Sequence, residues 1–351
     1  MDFFIFWRNM QRRKLDKKSE NTRIATKDFF KRSMAEAIGN TPLIKLNRLT
    51  VGAKGVILVK PEFLNPTGSI KDRMAVYILN GAVKSGELRP GGTIVEATSG
   101  NTGAAVAMYA AVYGYKAIFT IPDKMSKEKI DTLRAFGAEV HICPTAVPPD
   151  SPQSYYETAK RIASSHESAY FIGQYHNLKN IEAHYKRTGP EIWKQTKGKI
   201  TILIAGIGTG GTISGTARYL KEKNKKIRVV AVDPIGSIYH DYFTKKKMIE
   251  PHTYLVEGIG EDMLCPTLDF SVIDEIIQVN DRQSFLAARE LARQEGILAG
   301  GSSGAAVHAA LKYAPKMRGS DVAVVILPDG GFKYMSKFYS DEWMREKGFL
   351  S

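Results

Sequence analysis

The sequence predicts an α/β protein built on parallel sheets, and three observations carry that prediction. From about residue 56, short β-branched apolar runs alternate with amphipathic segments, the pattern of βα units. Several run-to-segment junctions are rich in glycine and hydroxyl residues, and open α/β sheets bind ligands beyond their strand carboxyl ends. The 351 residues, 43% of them hydrophobic, suffice for one large unit or two domains.

Strands are expected at 56–59, 93–96, 117–121, 139–142, 201–205, 228–232 and 322–327. Helices are expected between them. In the first, at 69–84, Ile70, Met74, Tyr77 and Ile78 recur at helical spacing and Gly86 supplies a stop. Others cover 102–113, 127–136, 153–164, 213–223, 282–295 and 305–313. The proline-rich stretch 144–152 reads as an exposed connection rather than a domain linker.

The net charge of +14 invites a nucleic-acid or membrane reading, yet residues 1–33 alone carry ten Lys/Arg against four Asp/Glu. That segment is expected to be a flexible basic leader, and neither nucleic acid nor membrane is expected as a partner. Its apolar run, 3–7, is far short of the roughly 20 residues that cross a bilayer. The run also precedes the basic residues, the reverse of a secretory signal, so a cytoplasmic location is expected. Cys143 and Cys265 are the only cysteines and read as packed thiols. The seven histidines are scattered and no metal site is expected.

Four loops can carry chemistry. The first, Asn65-Pro66-Thr67-Gly68-Ser69-Ile70-Lys71-Asp72-Arg73, sets Lys71 in the first turn of a helix, where the positive dipole end disfavours protonation and favours attack on an aldehyde. A solvated lysine is the plain alternative. The second, Thr98-Ser99-Gly100-Asn101-Thr102-Gly103, offers hydroxyls and amides at a helix start, either as a carboxylate nest or as an N-cap cluster. The third, Gly206-Ile207-Gly208-Thr209-Gly210-Gly211-Thr212, suits a phosphate. It also satisfies a dinucleotide fingerprint, with Asp233 standing where a ribose-binding acid would. The fourth, Gly300-Gly301-Ser302-Ser303-Gly304, precedes the helix expected at 305–313, and Leu327-Pro328-Asp329-Gly330-Gly331 closes the last strand; either could be an ordinary turn.

Taken together with Gly39-Asn40-Thr41-Pro42-Leu43, these ordered motifs identify a resemblance: over about residues 38–350 the chain resembles the fold-type II pyridoxal-phosphate enzymes. Within them it is most similar to the cystathionine β-synthase catalytic core, which the closing Ser340-Asp341-Glu342-Trp343-Met344 and Lys347-Gly348-Phe349-Leu350 favour over the related cysteine synthases. The resemblance implies two doubly wound α/β domains of the tryptophan synthase β-like type, with pyridoxal 5′-phosphate in the cleft between them. The smaller, 65–179, would be inserted into a larger one made of 1–64 and 180–351. It implies that Lys71 carries the cofactor as a Schiff base and moves the α-proton, while Asn101 meets the ring hydroxyl. Gly208, Thr209, Gly210, Gly211 and Thr212 would hold the phosphate, and Ser302 would face the pyridine nitrogen. Thr98, Ser99, Thr102 and Gln174 would receive the substrate carboxylate. A hydroxyl at the ring nitrogen makes the ring a weaker electron sink than a carboxylate would, favouring β-elimination over transamination.

The implied activity is that of a lyase of transsulfuration and cysteine biosynthesis, joining L-serine and L-homocysteine into L-cystathionine and water. Small amino-acid and thiol substrates and a homodimer come with it. The alternative is a cysteine synthase using O-acetylserine or a similar donor with sulfide; a remote one is a non-catalytic or dinucleotide-binding protein. Heme is not expected, because no Cys precedes Cys143 and no His precedes His141, whereas heme-bearing relatives bind it through an N-terminal Cys and His. The sequence ends at Ser351, where many relatives continue into a regulatory module, so activation through that module is not expected. Glu261 stands where animal members carry tyrosine, either tuning thiol and serine preference or simply facing the surface.

Overall fold

The computed structural model describes residues 30–351 except 99, 124, 126 and 149, so most of the expected leader lies outside the described residues. Its strands are β1 (Ile44–Lys45), β2 (Val56–Pro61), β3 (Thr93–Ala97), β4 (Lys116–Pro122), β5 (Glu139–Cys143), β6 (Ala169–Phe171), β7 (Ile202–Gly206), β8 (Arg228–Pro234), β9 (Glu275–Val279) and β10 (Val322–Leu327). They form two sheets, one ordered β1-β2-β10-β7-β8-β9 and one ordered β5-β4-β3-β6. Every pairing is parallel except that of β1 with β2. Parallel neighbours need crossover helices, which explains the strand and helix alternation read in the sequence.

The central strands are buried on both faces, as helix-covered parallel sheets are. Along β7, Ile202 and Ile204 enter one core while Leu203 and Ala205 enter the other. The Gly301–Tyr313 and Asp281–Glu295 helices pack into the first core through Ala305, Ala309, Phe285 and Leu291. The Gly211–Lys223 helix packs into the second through Ile213, Ala217 and Leu220. Around the smaller sheet, Ile94, Phe119 and Ile121 meet Met74, Ile78 and Leu79 of the Lys71–Ser85 helix and Ala105 of the Asn101–Tyr113 helix.

All seven expected strands form, displaced by at most two residues at either end. Three more exist: β1, β6 and β9. The first two are only two and three residues long, too short for any periodic signal. Two corrections concern helix starts. The last glycine loop is itself the first turn of the Gly301–Tyr313 helix, and Gly211 and Thr212 likewise open theirs. The strand order places the carboxyl ends of β2, β10 and β7 side by side, and the loops that follow them build the site.

Candidate active site

The lysine block is held by its neighbours so that Lys71 alone stays free. Asp72 accepts a hydrogen bond from Thr67 N at 2.8 Å and another from the Thr67 hydroxyl. Arg73 grips Glu62 with Nε at 2.5 Å and Glu191 with Nη1 at 2.8 Å, and Lys60 reaches Glu191 at 2.7 Å. Burial raises the Glu191 carboxyl, but Arg73 and Lys60 outweigh it and hold the group at about 2. The Gly39–Leu43 motif joins this network, since Thr41 donates to Glu62 at 2.7 Å and Gly39 N to Asn65 Oδ1 at 2.8 Å. These contacts fix the entry to the Lys71–Ser85 helix, in which Lys71 is the first residue. Its Nζ makes no hydrogen bond or ion pair among the described residues. Burial lowers its pKa against the opposing pull of Asp329 and Glu261, with Lys333 adding to the fall. Desolvation therefore leads where the sequence argument invoked the helix dipole.

Lys71 lines a cavity with Gly208, Thr209, Gly210 and Thr212, roofed by Gly258 and Ile259. The backbone N–H groups of residues 208 to 212 find no acceptor among the described residues, while Ser214 N is satisfied by Gly210 O. Five consecutive free amides at a helix N-terminus form a site for an anion. The glycines are required by protein neighbours too. A Cβ on Gly210, whose φ is +88°, would lie 2.5 Å from Leu268 Cβ, and one on Gly208 would lie 2.7 Å from Gly258 O. Thr209 Oγ1 accepts from Asn180 Nδ2 at 3.0 Å, and the Thr212 hydroxyl lies 3.2 Å from His184 Nε2.

Opposite stands the loop after β3. Thr98 is buried, and its hydroxyl accepts from Gly100 N at 3.1 Å and Gly103 N at 3.0 Å, so it braces the loop. Ser99 lies outside the described residues. Thr102 donates to Gln174 Oε1 at 2.7 Å, joining residues 72 apart in sequence. Gln174 is further held by its Nε2 on Ala97 O at 3.3 Å. Its segment rests on Glu96, whose carboxylate oxygens accept from Gly173 N at 2.8 Å and Gln174 N at 3.4 Å. Burial pushes the Glu96 carboxyl up to about 8.

Ser302 is buried in the first turn of its helix, and its hydroxyl has no hydrogen-bond partner among the described residues. It makes no cap bond; the N-cap position belongs to Gly300. Nearby, Asn101 donates through Nδ2 to Asp329 Oδ2 at 2.9 Å, and its Oδ1 accepts from Lys333 Nζ at 2.6 Å. Tyr334 also donates to Asp329 Oδ2, at 2.7 Å. Lys333, Asn180 and Glu96 lie in none of the motifs read from the sequence, and Asp329 lies in the turn that closes the last strand without any signal there of its partner Asn101.

Glu261 does not simply face the surface. Only partly exposed, its carboxyl has no side-chain partner among the described residues; burial, Asp262 and Asp233 push it up to about 8 against the pull of Lys71. Asp233, the ribose-binding candidate, is fully buried at the end of β8, where Oδ2 accepts from His240 N at 3.0 Å. Turned into the protein, it cannot receive a ribose hydroxyl, and the dinucleotide reading loses its second half. A separate groove of about 320 Å³ beside β9, lined by His240, Glu275 and Lys312, contains none of these loops.

The geometry thus unites a partnerless amine, an anion cradle, a free hydroxyl and a polar loop around the carboxyl ends of two sheets. Comparison with known proteins points the same way. The family model described as pyridoxal-phosphate dependent enzyme matches residues 34–329. Cystathionine beta-synthase of Apis mellifera is 49% identical over 316 residues, covering 90% of this chain and 62% of the relative. That of Saccharomyces cerevisiae is 43% identical over 325 residues, covering 90% and 64%. Cysteine synthase 1 of Neurospora crassa is 40% identical over 324 residues, covering 91% and 86%. The chain spans about three fifths of the length of the first two. No helix among the described residues is long and apolar enough to cross a membrane. By the extent of the family match and by identity sustained over nearly its whole length, the chain belongs to the pyridoxal-phosphate-dependent enzymes.

Proposed function

We propose that this protein replaces the β-hydroxyl of L-serine by the thiol of L-homocysteine, forming L-cystathionine and water. The observation that carries the reading is that identity to relatives named cystathionine beta-synthase runs from 39% up to 49%, whereas it is 40% and 39% to those named cysteine synthase. The site's residues suit the cofactor: a partnerless amine for its aldehyde, free amides for its phosphate and the free Ser302 hydroxyl for its ring nitrogen. When bound, pyridoxal phosphate draws electrons from the α-carbon of the amino acid it carries and so eases loss of the α-proton and the β-substituent. Lys71 Nζ, its pKa lowered by burial, takes the α-proton and later returns one. Thr98, Thr102, Gln174 and Ser99 orient the substrate carboxylate, while Asn101 meets the cofactor's ring oxygen. Glu261, in reach of the charge on Lys71, bears on which thiol is accepted.

The same reading takes 65–179 as a domain inserted between 1–64 and 180–351. It takes the working form as a homodimer, in keeping with the exposed Leu64, Phe332 and Met335, and its place as the cytoplasm, in keeping with two free, buried cysteines. Cysteine synthesis from an activated serine and sulfide is the second reading, supported by the 40% identity to cysteine synthase 1 of Neurospora crassa. Product analysis with both substrate pairs separates them. L-cystathionine from serine and homocysteine is expected. Cysteine from O-acetylserine and sulfide, with no cystathionine, would establish the second reading, and no product from either pair would refute both.

A further inference from the structure

We propose that Lys333 is a positioning residue of the cofactor site: by holding Oδ1 of Asn101 it turns the amide nitrogen of Asn101 toward Asp329 and the cofactor. Lys333 Nζ lies 2.6 Å from Asn101 Oδ1, and Asn101 Nδ2 lies 2.9 Å from Asp329 Oδ2. An ammonium can only donate and a carboxylate can only accept, so the two neighbours together forbid the flipped amide. One hydrogen of Nδ2 then remains for a ligand. Without Lys333 only Asp329 opposes the flip, and the amide is held less firmly against presenting its oxygen to the site, where it would repel an oxygen of the cofactor.

Lys333 is placed for this task by the block that carries Lys71. Its Nζ also lies 3.3 Å from Thr67 O and 3.4 Å from Gly68 O, carbonyls of the loop leading into the Lys71–Ser85 helix. The ammonium thus ties the lysine loop, after β2, to the Asn101 loop, after β3, across the junction of the two sheets. Burial lowers the pKa of Lys333, with Lys129 adding to the fall and Asp329 and Asp72 opposing it. Asp329 is pinned in turn by Tyr334, which donates to the same Oδ2 that Asn101 uses, while its other oxygen is buried with no partner among the described residues. Lys333 also belongs to none of the glycine-rich motifs, which is why its role follows only from the three-dimensional arrangement.

The inference rests on the cofactor placement proposed above, and a double-mutant cycle on the holoenzyme separates the two. The rate of cofactor loss into a trapping protein is measured for Asn101→Ala, Lys333→Met and the double variant, with the thermal midpoint and the visible cofactor band recorded for each. Asn101→Ala is expected to speed loss roughly tenfold, the scale of one charge-assisted hydrogen bond. Lys333→Met should speed it several-fold and shift the band, and the double variant should lose cofactor no faster than Asn101→Ala alone. Lys333→Arg, still a donor-only cation, should recover most of the retention. Multiplying effects in the double variant, or an unchanged rate in Lys333→Met, would overturn the role of Lys333 while leaving the site intact. An unchanged rate in Asn101→Ala would overturn the cofactor placement and Lys333 with it. Should Lys333→Met not fold, Lys333→Leu carries the same cycle.

Discussion

The two ends of the site are built from different materials. The loop from Gly208 to Thr212 works through its backbone: its amides are free, its glycines are hemmed in by Leu268, Asn180 and Gly258, and a Cβ on Gly211 would fall 2.2 Å from Asn180 Oδ1. The end formed by Thr98, Thr102 and Gln174 works through side chains: Thr102 is paired with Gln174, Thr98 with amides of its own loop, and the buried Glu96 braces the Gln174 segment. A backbone cradle accepts any phosphate and asks little of the ligand beyond it. A side-chain cluster assembled from two segments can discriminate, because each hydroxyl and amide has a direction. The proposed division of labour is therefore that the first end retains the cofactor and the second selects the amino acid.

Substitutions can break or sharpen that contrast. Lys71, which stands between the two ends, should matter most: Lys71→Ala is expected to lower β-replacement on the order of 10²–10⁴-fold with the circular-dichroism spectrum unchanged. Gly210→Leu comes next. With φ at +88° and Leu268 at 2.5 Å from the added Cβ, it should cost about 1–3 kcal/mol of stability and weaken cofactor affinity at least about tenfold. Unchanged affinity in a folded variant would remove the loop from the cofactor site. Gln174→Ala should act on the other end only, raising KM for L-serine about tenfold while cofactor affinity stays as in the wild type. Equal losses of both would mean the two ends are not separable.

The smallest effect concerns pH. Because the folded-state Glu96 carboxyl sits at about 8, above the usual carboxylate range, its contribution to stability is fully present below about pH 4.5 and is lost as pH rises through 8. Glu96→Gln should flatten the fall in unfolding free energy between pH 5 and 9, a difference of at most a few kcal/mol in denaturant titrations. An unaltered slope would show that Glu96 is ionised in the folded protein.

The same contrast explains what was legible in the sequence. Backbone devices leave local marks: Gly206 through Thr212, Gly68 through Arg73 and Gly300 through Gly304 are each contiguous; the first two follow strands as the βα alternation expects, while the third lies at the junction of the Asp281–Glu295 and Gly301–Tyr313 helices. Side-chain devices leave none. Glu96 meets Gly173 from 77 residues away, Asn101 meets Asp329 from 228, and Lys333 meets Asn101 from 232, separations that no periodicity encodes. Gln174 was singled out by family resemblance rather than by its neighbours. Ser302 illustrates a middle case: its loop was visible, but only the structure shows that it lies inside the helix with a free hydroxyl instead of capping it.

The central claim, that Lys71 carries the cofactor, is open to one direct measurement: borohydride reduction of the yellow holoenzyme, proteolysis and mass mapping of the modified peptide. The reduced cofactor is expected on a single peptide at Lys71, stoichiometric with the chain. Its recovery on any other lysine, Lys333 foremost because its charge acts on Lys71, would contradict the account.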